Sequence, residues 1–162
     1  MAQRAPSRRS PTPAELRTWR TFIEVSEDLR AVMSRRLQDD SGLSTGDYSV
    51  LLALSEQPGH RIRSSELAEQ VGWERSRLSH HLGRMEGRGL IAREDCATDS
   101  RGAEIVLTAA GADAFRRSNG PHLHAIREQF LDALTPQQLA ALDDAMLAVR
   151  AHRPVNPAGA GA

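Results

Sequence analysis

Lysine is absent from this 162-residue chain, and cysteine occurs once. All 21 positive side chains are therefore arginines, so every cationic contact comes from a planar, forked donor rather than a compact point charge. The single thiol, Cys96, excludes an intramolecular disulfide and points to a cytoplasmic setting. No purely apolar run exceeds five residues, the length of 50–54, far short of the roughly 20 that a membrane-spanning helix needs. Excess charge is missing too: 21 acidic residues balance the arginines, so net charge alone argues for no partner. The arginine- and proline-bearing N-terminus has no apolar stretch behind it, unlike a signal peptide.

The signatures of catalysis are lacking as well. There is no nucleophile elbow, no glycine loop to cradle phosphate and no zinc-binding spacing, so neither an enzyme nor a cofactor is expected. His122 and His124 stand two apart, which on a helix points them to different sides and makes a poor chelating pair. Cys96 lies among carboxylates in "REDCATD", an environment that disfavours a reactive thiolate.

What is present is a globular composition, 40% hydrophobic and 26% charged, with enough chain for one cored domain or a small domain with extra helices. Residues 1–13 read as a flexible basic arm, and residues 154–162, "PVNPAGAGA", as a disordered tail. A first helix is predicted over 14–38, where Leu16, Trp19, Ile23, Leu29, Val32 and Leu37 form a stripe that Phe22, Val25 and Met33 widen. A second opens with Ser44 as N-cap and Asp47 three residues on. A third, "SSELAEQV", is expected to start on a serine cap and to end at Gly72. The fourth spans about 74–88 and closes at Gly89.

Beyond Gly89 the pattern changes. "LIARED" and "AEIVLT", joined by the polar "CATDSRG", read as a β-hairpin. Thr108 then caps a fifth helix, which Pro121 in "NGP" should kink or restart because proline lacks an amide proton. A last helix opens at "TPQQ", with Thr135 as N-cap, Pro136 at N1 and Gln138 at N3. No internal repeat is visible.

Helix, short helix, turn, helix and hairpin is the order of a winged helix-turn-helix. A helix that enters the major groove of DNA needs an apolar stripe to hold it and an outward face of small or forked polar residues. In "WERSRLSHHLGRMEGRGLIARED", beginning at Trp73, Leu78, Leu82 and Met85 supply the stripe, while Arg77, His80 and Arg84 fall on another face beside Ser76 and Ser79. Gly83 weakens this helix and admits a close approach. Taken alone, the segment fits an ordinary solvated face better. The hairpin shifts that balance, because its loop places Asp99 two residues before Arg101, where a carboxylate can orient a guanidinium for a narrow minor groove.

"SSELAEQVGWERSRLSHHLGRMEGRGLIAREDCATDSRGAEIVLTAAG" resembles the DNA-binding core of the MarR family of bacterial transcription regulators. The resemblance rests on "ELA", on "GRMEGRGLI", on Asp99 and Arg101 of the wing, and on Leu107, Thr108 and Gly111 of a Leu-Thr-x-x-Gly run. "HLHAIREQFLDALTPQQLAAL" is similar to the C-terminal dimerisation region of many actinobacterial members. It implies a mainly α fold with a small β wing: a winged helix-turn-helix over 44–108 with N- and C-terminal dimerisation helices over 14–43 and 109–153.

By the same resemblance the protein is a homodimeric DNA-binding regulator, a repressor that reads an inverted repeat. Arg75, Ser76, Arg77, Ser79 and His80 become candidates for the major groove, with Arg75 and Arg77 aimed at guanine or phosphate. Ser64, Ser65, Arg84 and Arg88 become candidate phosphate contacts, and His81 is read as packing. Glu74 stands where the family usually has a serine, threonine or aspartate cap, and is a poorer one. Many members respond to a small-molecule effector; Trp19, Arg30 and Tyr48 are candidate pocket residues, and no chemical class follows from them. A winged-helix dimer that serves only protein interaction is the alternative.

Overall fold

The computed structural model describes residues 10–95 and 103–152. Among these residues the α-helices and strands follow in the order α1 (Pro13–Ser41), α2 (Thr45–Ser55), β1 (Arg61–Arg63), α3 (Ser64–Val71), α4 (Arg75–Gly87), β2 (Ile91–Asp95), β3 (Ala103–Leu107), α5 (Ala109–Gln129) and α6 (Pro136–His152). The chain divides into two compact units, one ending at His122 and the other beginning at Leu123. The expected arm at 1–9 and the tail from 154 lie outside the described residues, as do Cys96, Asp99 and Arg101.

Local chemistry accounts for most helix ends. Thr12 and Glu15 form a reciprocal capping box with Pro13 in the first turn, so α1 starts one residue before the predicted helix and takes the end of the supposed arm into it. Gly42 closes it in the left-handed conformation, φ 68°, carrying the helix three residues past 38. Ser44 and Asp47 make the same box at α2. At α6 the Thr135 amide donates to Gln138 Oε1 and the Gln138 amide to Thr135 Oγ1.

Three expectations need correction. The serine cap of α3 is not formed: Arg63 occupies the N-cap without a side-chain hydrogen bond to the helix, and Ser64 and Ser65 lie inside the first turn. Instead of a lone hairpin, the sheet has three antiparallel strands in the order β1-β3-β2. β1 pairs Ile62 with Ile105, burying both, and "RIR" is too short to show a period without its partner. Finally, of the kink or restart expected at Pro121, the restart does not occur: α5 runs through it as one helix. Proline removes one backbone donor, but the turns around it are held from outside the helix. Tyr48 Oη donates to Asn119 Oδ1 at 2.8 Å, and its ring packs on Phe115 and His122.

The core of the first unit gathers Leu37 of α1, Leu51 and Leu54 of α2, Leu67 of α3, Leu78, Leu82 and Met85 of α4, and Ile91 and Ile105 of the sheet. The apolar stripe of α4 thus faces inward as its spacing predicts. The junction of wing and α5 is closely packed. Thr108 Oγ1 donates to the Gly89 carbonyl and accepts from the Gly111 amide, capping α5 onto the end of the preceding turn. A Cβ on Gly111 would lie 1.9 Å from the Leu90 carbonyl oxygen, so no side chain fits there.

Candidate nucleic-acid interface

α4 carries the face the sequence singles out. Its inward positions, Leu78, His81, Leu82 and Met85, are buried, whereas Arg75, Ser76, Arg77, Ser79, His80 and Arg84 are exposed. Thirteen residues at about 1.5 Å each give a rod of about 20 Å, long enough to lie across a major groove. Glu74 is the N-cap and its side chain makes no cap hydrogen bond, consistent with its reading as a poorer cap. Ser64 and Ser65 stand half-buried at the opening turn of α3.

The exposed arginines are not equally free. Arg77 lies over the Trp73 ring, its guanidinium carbon 4.6 Å from the ring centroid, a cation–π arrangement that limits its rotamers. Arg84 reaches back along the helix to His81 Nδ1 at 3.0 Å. Arg88 turns inward: one terminal nitrogen donates to Asp47 Oδ2 at 2.8 Å and the other to the Gly42 carbonyl at 2.9 Å. These two bonds tie the end of α4 to the start of α2, while the Arg88 side chain stays 46% exposed.

Asp47 is the centre of this arrangement and is buried. Burial alone would raise its carboxyl, but the hydrogen bonds from Ser44 and Arg88 outweigh that and hold it below the usual aspartate value. His81 Nε2 sits 3.0 Å from Asp47 Oδ1, close but off the line of a proper hydrogen bond. Burial is the main influence on the His81 ring and pushes its pKa down; Asp47 opposes the fall, and Arg84 and Arg77 add to it. The ring meets Trp73 edge-on at 5.1 Å. Gly46 makes room for both rings, since a Cβ there would lie 2.8 Å from Trp73 and 2.9 Å from His81.

The spacing of α4 places His81 toward the packed side, and burial agrees; the carboxylate it faces is 34 positions earlier and leaves no local signal. Trp73, Gly46 and the second role of Asp47 were invisible for the same reason. Within the chain nothing crowds Gly83, since an added Cβ would meet only the Arg93 guanidinium, at 3.9 Å. That guanidinium donates to the Ser79 carbonyl and pairs with Glu86 at 3.4 Å, bracing α4 against β2. On the wing, Glu94 and Glu104 stand directly opposite each other, a repulsive pair that Arg61 bridges at 3.2 and 3.1 Å.

Comparison with known proteins points the same way. Residues 41–102 match the MarR family model. The Escherichia coli transcriptional regulator HosA is 32% identical over 96 residues, 59% of this chain and 69% of that protein. Among solved structures, AbsC, a MarR family transcriptional regulator from Streptomyces coelicolor, is 39% identical with a TM-score of 0.84, covering 89% of this chain and 97% of that one. Sco3205, a MarR family regulator of the same organism solved in complex with DNA, is 38% identical with a TM-score of 0.87, covering 94% and 96%.

Proposed function

The chain belongs to the MarR family of transcriptional regulators, and on that premise we propose that it is a homodimeric repressor reading an inverted-repeat operator through α4. The observation that carries this is the two-sidedness of α4. Its apolar stripe is consumed by the core, while Arg75, Ser76, Arg77, Ser79, His80 and Arg84 remain on one exposed surface. Such a helix is held rigidly from behind and presents forked and small donors in front, as base edges require. The structure of Sco3205 with DNA supports the same use here. The higher identity to the two Streptomyces proteins supports an actinobacterial affinity.

In this reading Arg75 and Arg77 address guanine or phosphate, and Ser76, Ser79 and His80 line the groove. Arg84 and Arg88, together with Ser64 and Ser65 at the start of α3, take phosphates. Arg101, preceded by Asp99, reaches the neighbouring minor groove from the wing. Dimerisation is supported by the apolar side chains that one chain leaves bare. On α1, Trp19 is 59% exposed, with Leu16, Phe22 and Val25 beside it on the helix; on α6, Leu147 and Val149 are more than half exposed. A second copy covering them would present two α4 helices to successive grooves, and the regulator would work in the cytoplasm beside its operator.

The test is a fluorescence-anisotropy titration against the duplex upstream of its own gene. Affinity should exceed that for random duplex and fall steeply with salt as arginine–phosphate contacts release counterions. Equal affinity for both duplexes would leave a winged dimer serving protein interaction instead.

A further inference from the structure

Resting on the DNA-binding reading, we infer that His81 is a positioning residue for the interface: a neutral imidazole whose Nδ1 holds the Arg84 guanidinium in place for a phosphate. The geometry fixes the tautomer. A guanidinium has donors only, so Nδ1, at 3.0 Å from Arg84, must be the acceptor and the ring proton must sit on Nε2. Nε2 is the nitrogen that faces Asp47 Oδ1, where a proton is welcome.

The charged groups around the ring are Asp47 from α2 and Arg84 and Arg77 from α4, with Arg88 completing the Asp47 carboxylate. Protonation of Nδ1 would turn the acceptor into a donor facing another donor and put a positive charge against Arg84. The guanidinium would lose its anchor at each of the two α4 helices of the dimer. Because burial holds the imidazole below its usual value, the anchored, neutral state belongs to neutral pH and the loss comes only on acidification below that value. DNA affinity should then weaken on acidification.

The experiment uses the full chain and the duplex from its own upstream region. As the pH is lowered from neutral through the range below the usual imidazole value, as far as the fold persists, the wild type should lose about tenfold in affinity, and its salt dependence should fall by about one phosphate contact per subunit. His81→Asn keeps an acceptor near the Nδ1 position but cannot titrate, so this acid loss should disappear. Arg84→Ala, a change on the exposed face that leaves the core intact, should bind more weakly at neutral pH and also lack the acid loss. Nitrogen NMR of the imidazole should show the Nε2–H tautomer at neutral pH. A flat or rising wild-type profile, an Arg84→Ala variant that keeps the acid loss, or an Nδ1–H tautomer overturns the positioning role. A wild type that prefers neither its own duplex nor a random one overturns the DNA-binding reading itself, and the role with it.

Discussion

α4 and α1 are both amphipathic helices, yet they stand in opposite relations to solvent. α4 hides its apolar stripe completely and exposes its polar face. α1 buries only Leu37 fully and leaves Trp19, Phe22 and Val25 between 43% and 59% exposed. One helix is finished within a single chain, and its outward side is free for a polar ligand. The other carries apolar surface that solvent does not favour, an incomplete contact that a second copy would complete. A helix's partner is thus read from the face left over after the core has formed.

Four substitutions test this contrast. Gly111→Ala attacks the platform on which α4 and the wing rest. The clash is with a backbone carbonyl rather than a flexible side chain, so unfolding free energy should drop by about 3–4 kcal/mol in urea melts. Trp19→Asp places a charge on the bare face of α1. It should cost about 2–3 kcal/mol of association, seen in sedimentation as a shift to monomer with the helical circular-dichroism signal retained.

Arg77→Ala acts on the opposite, finished helix. Binding to the upstream duplex should weaken by roughly 1–3 kcal/mol and base preference at one position should relax, with no change in oligomeric state. Finally, Arg93→Ala removes a half-exposed brace between α4 and β2. Solvent screening limits its ion pair, so a stability loss of about 0.5 kcal/mol is expected, and one above 2 kcal/mol would mean that the brace rather than the apolar stripe holds α4.

How much of this was legible beforehand depended on sequence distance. The caps at Ser44, Thr108 and Thr135 are settled by residues within three positions, and the stripe of α4 by its own spacing. The winged order of elements followed from them. β1 was not legible, because three residues become a strand only when β3, more than 40 positions later, supplies the ladder. Pro121 reads locally as a break, and the Tyr48 hydrogen bond that spans its turn comes from 71 positions away. The site followed the same rule. The outward residues of α4 were found from periodicity, but the Asp47–His81 contact and the inward turn of Arg88 join α2 to α4 and leave no local trace.

The central claim is that two copies of α4 read DNA together. Selection of bound duplexes from a random pool by the purified chain tests it most directly. The account predicts enrichment of an inverted repeat whose half-sites lie about one helical turn apart, 10–11 base pairs centre to centre. Enrichment of a single unpaired half-site, or of no sequence at all, would contradict it.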